Sequence, residues 1–336
     1  LSAKAQEFIN DDVPTADDAL AGAHEILAEA ISEMTTVRGW LRNYTVNHGE
    51  VATALKKNGE DHDELKVYEQ YYDFSSPVKD MTSYRTLAIN RGEKEKVLRV
   101  SVNSDDDTVL NYLQFRLIGP HSENAATKFV VEAAQDAYKR FLQPAIEREI
   151  RRQLTDDANE QAIKVFGENL YNLLMQAPIK GKVVLGFDPA YRTGCKLAVM
   201  DPNGKLLTTA VIYPHKPAPE KDRELAEGQF LDLLNKYQVQ MIAIGNGTAS
   251  RESEQFVANA LKKLDRSAYY VIVNEAGASV YSASQDARDE FPDLPVEKRS
   301  AISIGRRLQD PLAELVKIDP QAIGVGQYQH DLPSNE

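Results

Sequence analysis

Asp188 closes an apolar run within Gly186-Phe187-Asp188-Pro189-Ala190-Tyr191-Arg192-Thr193-Gly194. An acid at a strand end can hold a divalent metal where other acids converge on it. Phosphoryl transfer by two metals needs several carboxylates to fix ions about 3.5–4 Å apart. The candidate partners are Glu275, just past Val273-Asn274, and an acid on the terminal helix, either Asp310 after Arg306-Arg307-Leu308-Gln309 or Asp286. The plainer role for a strand-end acid is to cap the next turn. A second feature is Gly245-Asn246-Gly247-Thr248-Ala249-Ser250-Arg251-Glu252, a glycine-rich turn between a strand and a helix. Free N–H groups and the helix dipole make such a turn a phosphate seat, here Gly245, Gly247, Thr248 and Ser250, or else a tight turn capped by Thr248 or Ser250. It departs from the dinucleotide fingerprint at Ser250, where the third glycine belongs, and Asp265 is a weak match for the ribose-binding acid, so NAD is not expected.

Phosphate contacts call for arginine and lysine. Arg85, Arg91, Lys94, Lys96 and Arg99 follow Tyr84; Arg192 follows Asp188; Arg299, Arg306 and Arg307 lie on the helix over 296–309, with Arg299 and Arg306 seven residues apart on one face. Arg85, Arg91, Arg192, Arg299 and Arg306 are therefore the candidate nucleic-acid contacts. Lys94 and Lys96 alternate with Glu93 and Glu95 in the manner of a solvated turn, and Arg299 and Arg306 could instead hold Glu297 or Asp310. Six histidines and one cysteine show no zinc spacing.

The elements that must carry these residues divide the chain in two. Up to residue 180 the periodicity is largely helical. Thr15 caps a helix over 17–34, a second follows around Val37, Trp40, Leu41 and Tyr44 to His48, and long helices are expected between 123 and 177. The aromatic stretch from Tyr68 to Phe74 reads as core packing. Asp11-Asp12, Asp17-Asp18, Asp61-His62-Asp63-Glu64 and Asp105-Asp106-Asp107 fit helix starts, where the dipole favours acids. From Gly181 the signals turn to strands, at 183–188, 196–200 and 206–212, with the tight turn Asp201-Pro202-Asn203-Gly204 between the last two. A helix over 220–237, a strand over 239–245, a helix over 250–263, a strand over 269–273 and a helix over 296–309 complete the pattern. Three hairpin strands followed by βα units give a mixed sheet with helices on its faces, the ribonuclease H-like topology. The fold class expected is a helical α+β domain followed by an α/β mixed-sheet domain.

Composition limits the function. The chain has 336 residues, 42% hydrophobic and 27% charged, a globular balance. A net charge of −12, most of it before residue 180, argues against a protein that coats nucleic acid non-specifically, so any such surface is local. No apolar run approaches the ~18 residues of a membrane span. A single cysteine, Cys195, suits a reducing compartment, and the cytoplasm is the expected location. The chain starts at Leu1 without a methionine and reads as a piece of a longer protein.

The stretches from Gly186 to Cys195, Ile242 to Glu252, Asn274 to Ser284 and Gly324 to Asp331 resemble the Tex family of bacterial transcription accessory proteins. The likeness continues upstream through Pro14 to Glu33 and Ser83 to Glu93, and so spans nearly the whole chain. It implies a helical Tex core over 1–180, a YqgF-like, RuvC-related domain over 181–325, and in 326–336 the start of a linker to helix-hairpin-helix modules. It further implies binding of nucleic acid, RNA or DNA, chiefly through a carboxyl-terminal barrel beyond this chain, with RNA polymerase or the ribosome as partner and no membrane. YqgF-type resolvases follow the last strand with Asp-Glu-Arg, whereas this chain has Asn274-Glu275-Ala276; the fourth strand, which ends in Glu in RuvC-type enzymes, ends here in Gly245-Asn246. The resemblance therefore points to a scaffold with an inactive nuclease-like domain and no required cofactor. Asp188, Glu275 and Asp310 remain as a divergent catalytic set able to bind Mg2+ or Mn2+ weakly. The alternative is a metal-dependent nuclease or resolvase acting on RNA or branched DNA.

Overall fold

Thr15 accepts a hydrogen bond from the Asp18 N–H at 3.1 Å and opens a helix with Asp17 and Asp18 in its first turn; cap and dipole act together. The computed structural model describes residues 1–121 and 124–332. It divides into two compact units, Leu1–Ile163 with the chain from His330 on, and Lys164–Gln329.

In the first unit, α1 (Ser2–Ala5), α2 (Ala16–Glu33) and α3 (Thr35–His48) lead to β1 (Glu50–Leu55). Then come β2 (Asp73–Pro77), α4 (Ser83–Lys94), β3 (Leu98–Asn103), α5 (Asp106–Ile118), α6 (Ala125–Ala137), a π-helical turn Tyr138–Leu142 and the long α7 (Gln143–Leu174), within which the two units divide. The expected helices are present, but periodicity did not show that β1, β2 and β3 pair as an antiparallel sheet in the order β2-β1-β3. Two acidic clusters lie at helix starts as expected, Asp17-Asp18 in the first turn of α2 and Asp105 as the cap of α5. Asp63 instead folds a turn around itself, its carboxylate accepting from the Val67 and Tyr68 N–H groups at 2.7 and 2.8 Å. The aromatics pack inward: Trp40 stacks on Tyr112 with centroids 3.6 Å apart, and Tyr68 and Tyr71 are buried.

In the second unit, β4 (Val184–Asp188), β5 (Cys195–Met200) and β6 (Leu206–Ile212) form the expected antiparallel hairpins. They are followed by α8 (Glu220–Lys236), β7 (Met241–Gly245), α9 (Ser250–Leu261) and β8 (Tyr269–Val273), with β7 and β8 adding in parallel to give the order β6-β5-β4-β7-β8. The short α10 (Ala278–Ala283) and α11 (Gln285–Glu290), the helix α12 (Val296–Gln309) and the short α13 (Pro311–Leu315) complete the unit.

Because side chains alternate across a strand, the central β4 buries both faces. Leu185 and Phe187 join Phe230, Leu234 and Val257 in one core, and Val184 joins Ala198, Met200, Ile302 and Ile304 in the other. The second core sets α12 across β4 and β5, and so fixes which turn of that helix lies at the strand ends. Of the expected linker over 326–336, Pro333–Glu336 lie outside the described residues, as does Glu123 at the start of the expected helical stretch.

Candidate functional site

The parallel strands β4, β7 and β8 end together, and their ends bring Asp188, the glycine turn and Glu275 into one crevice. Such a crevice at the carboxyl ends of open-sheet strands is where ligands bind. Asp188 is the last residue of β4, and its Oδ2 accepts the Ser300 hydroxyl from the first turns of α12. Opposite it in register on β5 stands Lys196, whose residue is only 8% exposed and whose ammonium donates to Thr193 Oγ1. Burial pushes the Asp188 carboxyl above the ordinary carboxylate range, against the opposing pull of the Ser300 hydroxyl and the Lys196 charge.

Glu275 reaches back from the end of β8 onto the glycine turn. The Gly247 N–H donates to its carboxylate, and the Glu275 N–H donates to Asn246 Oδ1 at 3.1 Å. A Cβ at Gly245 or Gly247 would lie 2.1 or 1.7 Å from a Glu275 oxygen. Both positions are therefore glycine because the carboxylate occupies that hollow. Burial, and then the nearby Asp188 charge, push the Glu275 carboxyl up, while the Gly247 N–H and Arg307 pull it down. Its Oε2 is buried with no hydrogen-bond partner. Arg307, 3% exposed on α12, holds this segment: its Nη1 donates to the carbonyls of Asn274 and Ala276, each at 2.7 Å.

The expected phosphate seat is thus lined by the chain's own carboxylate. Thr248 is exposed, and Ser250 is the first residue of α9, entered through Ala249 at φ +66° without a side-chain cap.

Asp310 does not join Asp188 and Glu275. It lies exposed at the far end of α12, where it caps α13 by accepting from the Ala313 N–H at 3.2 Å. At ~1.5 Å of rise per residue, the ten residues from Ser300 to Asp310 carry it to the opposite end of β4, where Gln309 bonds the Lys182 carbonyl at 3.1 Å. Asp286 sits in the first turn of α11, capped by Ser284.

Two of the expected phosphate-binding arginines serve the interior instead. Arg299 is 7% exposed and donates to the Ser282 carbonyl at 3.2 Å. Arg306 pairs with Glu290 at 2.7 Å and donates to the Gly204 carbonyl at 2.8 Å, rather than to Glu297 or Asp310. In the first unit, Arg91 is ion-paired with Asp331, Nε to Oδ2 at 2.6 Å, and Arg85 lies half-buried over the rings of Phe74 and Tyr84. Arg192 is exposed in the β4–β5 loop, beside the crevice.

These residues do not fit a two-metal centre. Asp188 gives one oxygen to a serine, Glu275 is turned onto the glycines, and a buried lysine, whose charge acts on Asp188, stands opposite it in register. Among the described residues, three metal-ligating side chains whose ligand atoms come within 4.8 Å of one another are His24, Glu25 and Asp136. That group is spanned by Arg140, paired with Glu25 at 2.8 Å and with Asp136. The residues that sequence reading missed are Ser300 and Lys196; Arg307 was expected among the phosphate-contacting arginines and instead serves the interior. Lys196 carried a signal, a lone charge within the otherwise apolar strand Cys195-Lys196-Leu197-Ala198-Val199-Met200.

On the other face of β5 a second polar group is closed off. His215 Nε2 lies 2.8 Å from the fully buried Ser253 hydroxyl, which is itself 3.9 Å from Cys195 Sγ. Burial pushes His215 below its ordinary value, only partly offset by Glu252, which also accepts from the Tyr191 hydroxyl. A histidine depressed in the fold is protonated more readily when unfolded, so its contribution is intact above about pH 6.5 and is lost as pH falls below that value. The urea midpoint of the second unit should therefore drop between pH 7.5 and 5.5, and His215→Gln should flatten that slope. An unchanged slope in the variant would assign the effect elsewhere.

Residues 2–166 match the family description "Tex central region-like" and residues 182–309 match "Tex protein YqgF-like domain". The chain is 54% identical over 334 residues to the uncharacterised protein YdcI of Bacillus subtilis (strain 168), covering 99% of this chain and 46% of that protein. It is 40% identical over 350 residues to Protein tex of Bordetella pertussis, covering 100% of this chain and 44% of that protein. It is 38% identical over 335 residues to S1 RNA-binding domain-containing protein 1 of Homo sapiens, covering 95% of this chain and 33% of that protein. The chain thus spans less than half the length of these relatives.

Proposed function

Because the chain belongs to the Tex family, we propose that it is the core of a transcription accessory protein that binds nucleic acid, RNA or DNA, as a scaffold whose YqgF-like domain does not cut it. The observation that carries the non-catalytic half of this reading is the Asp188–Ser300 pair: the terminal helix meets the strand-end acid with a hydroxyl where a metal-dependent nuclease needs a further carboxylate. The binding half is supported by relatives named for transcription and for RNA binding and by the exposed Arg192 in the loop that follows Asp188. In this reading the protein works in the cytoplasm beside RNA polymerase or the ribosome, and regions of its relatives that this chain does not span supply much of the affinity. No helix among the described residues is long and apolar enough to cross a membrane.

The test is a gel assay with labelled single-stranded RNA, duplex DNA and a four-way junction, in Mn2+ and in EDTA, beside Asp188→Ala and Arg192→Ala. Retarded, intact substrate is expected in both conditions. Arg192→Ala should weaken binding across sequences and reduce the slope of log affinity against log salt by about 1. Metal-dependent cleavage abolished by Asp188→Ala would overturn the scaffold reading in favour of a nuclease.

A further inference from the structure

Lys196 is the one charge in β5, a strand whose six residues are all buried. A buried ammonium is costly unless something in the fold uses its charge. What faces it is Asp188, its register partner on β4, with both side chains on the α12 face of the sheet. The charge of Lys196 stabilises the Asp188 carboxylate against burial, alongside the Ser300 hydroxyl. Thr193, from the loop joining the two strands, accepts from the ammonium and holds it at this end of the strand pair. The same loop, strand pair and helix thus supply Asp188 with a cation and a hydrogen-bond donor, the two things a carboxylate at a metal centre otherwise obtains from the ion and its ligand shell. Glu275 is compensated separately and only in part, by the Gly247 N–H and by the field of the buried Arg307, its Oε2 being left without a hydrogen-bond partner.

We propose that Lys196 takes over the charge-neutralising part that a divalent cation plays in nuclease relatives of this fold, and that its ammonium excludes such a cation from the Asp188 crevice. Like charges in a partly desolvated site repel strongly, so a divalent ion entering beside Asp188 would have to displace the lysine. This rests on the non-catalytic reading of the crevice but is narrower. That reading states that the site does not cut, whereas the inference names the residue that keeps the metal out, independently of the missing carboxylate.

The experiment is Mn2+ binding to the 336-residue chain, followed by electron paramagnetic resonance as the component of binding that Asp188→Asn removes. The wild type should show no such component. Ser300→Asp, which returns a carboxylate to α12 while keeping Lys196, should bind weakly, and Ser300→Asp with Lys196→Gln should bind at least tenfold more tightly. Equal binding with and without Lys196 would overturn the inference and leave the missing carboxylate as the whole explanation. Mn2+ bound to the wild type in an Asp188-dependent way, without cleavage, would overturn the inference and leave the scaffold reading intact; binding with cleavage would overturn both.

Should the double variant fail to fold, a cycle of Lys196→Met and Asp188→Asn decides the matter by urea unfolding. If the lysine neutralises the acid, Lys196→Met lowers the midpoint more in the presence of Asp188 than in its absence. Additive shifts would refute the pairing.

Discussion

Gly186→Ala should unfold the second unit at temperatures where the wild type is stable, with a loss of about 3 kcal/mol or more, at or beyond the upper end for overpacking a core. A Cβ at this position would lie 1.9 Å from the Ala301 carbonyl oxygen and 2.8 Å from the Gly305 N–H. Both obstacles are helix backbone and cannot rotate away. Relief requires α12 to lift from β4, and α12 also carries Ser300 to Asp188 and Arg307 to the Asn274 and Ala276 carbonyls. The damage therefore reaches the crevice. Gly305→Ala provides the contrast: its Cβ would meet the terminal methyl of Met200, the end of a flexible side chain, at 1.9 Å and the Gly186 backbone only at 3.1 and 3.2 Å, so the cost should be smaller. Urea melts of both variants check the pair. A Gly186→Ala protein within 1 kcal/mol of wild type, roughly the scale of a tolerated core swap, would show that the helix–strand contact is softer than its geometry indicates.

Arg307→Met should be nearly as damaging, costing about 3–5 kcal/mol, the range for removing one partner from a buried charge group. Methionine fills much of the volume, so the loss reports the guanidinium. Its Nη1 is donated to two carbonyls of the segment that presents Glu275, and its charge faces Glu275 and Glu314, the latter only 2% exposed. Burial lowers the guanidinium to about 10, still above neutral pH, so it is charged under ordinary conditions. Without it, Glu275 loses its compensating cation, Glu314 keeps only the ion pair with Lys317 at 2.9 Å, and the Asn274 and Ala276 carbonyls lose their donor. Arg307→Lys should recover only part of the loss, since an ammonium on a shorter, flexible stem returns the charge but not the rigidly held Nη1 that reaches both carbonyls. Calorimetry of the two variants would check this, and full recovery by lysine would reduce the role of Arg307 to charge alone.

The architecture of the second unit was legible because its signals are local. An apolar run, a turn of Asp201-Pro202-Asn203-Gly204 and a helical period each occupy adjacent residues, and the hairpins β4–β6, the strand β8 and the helix α12 lie where those signals put them. The sheet of the first unit was not legible. Its strands β1, β2 and β3 are five or six residues long and pair across gaps filled by loops and α4. Ala52, Thr53 and Ala54 give little alternation to read, and only the partner strands make them a strand.

The crevice divides in the same way. Asp188, Glu275 and the glycine turn could be named from residue type and position at strand ends. That Ser300 and not Asp310 meets Asp188, that Lys196 is its cation, and that Glu275 itself fills the hollow over Gly245 and Gly247 could not. Helical periodicity tells which residues share a face but not which turn of that face reaches a given strand end. That depends on how far α12 slides along β4, which the close approach of Gly186 to Ala301 and Gly305 sets. Sequence spacing thus specified the elements and the acids they carry. The partners of those acids were decided by contacts between residues far apart in the chain, because strand register and helix placement exist only once the whole sheet has packed.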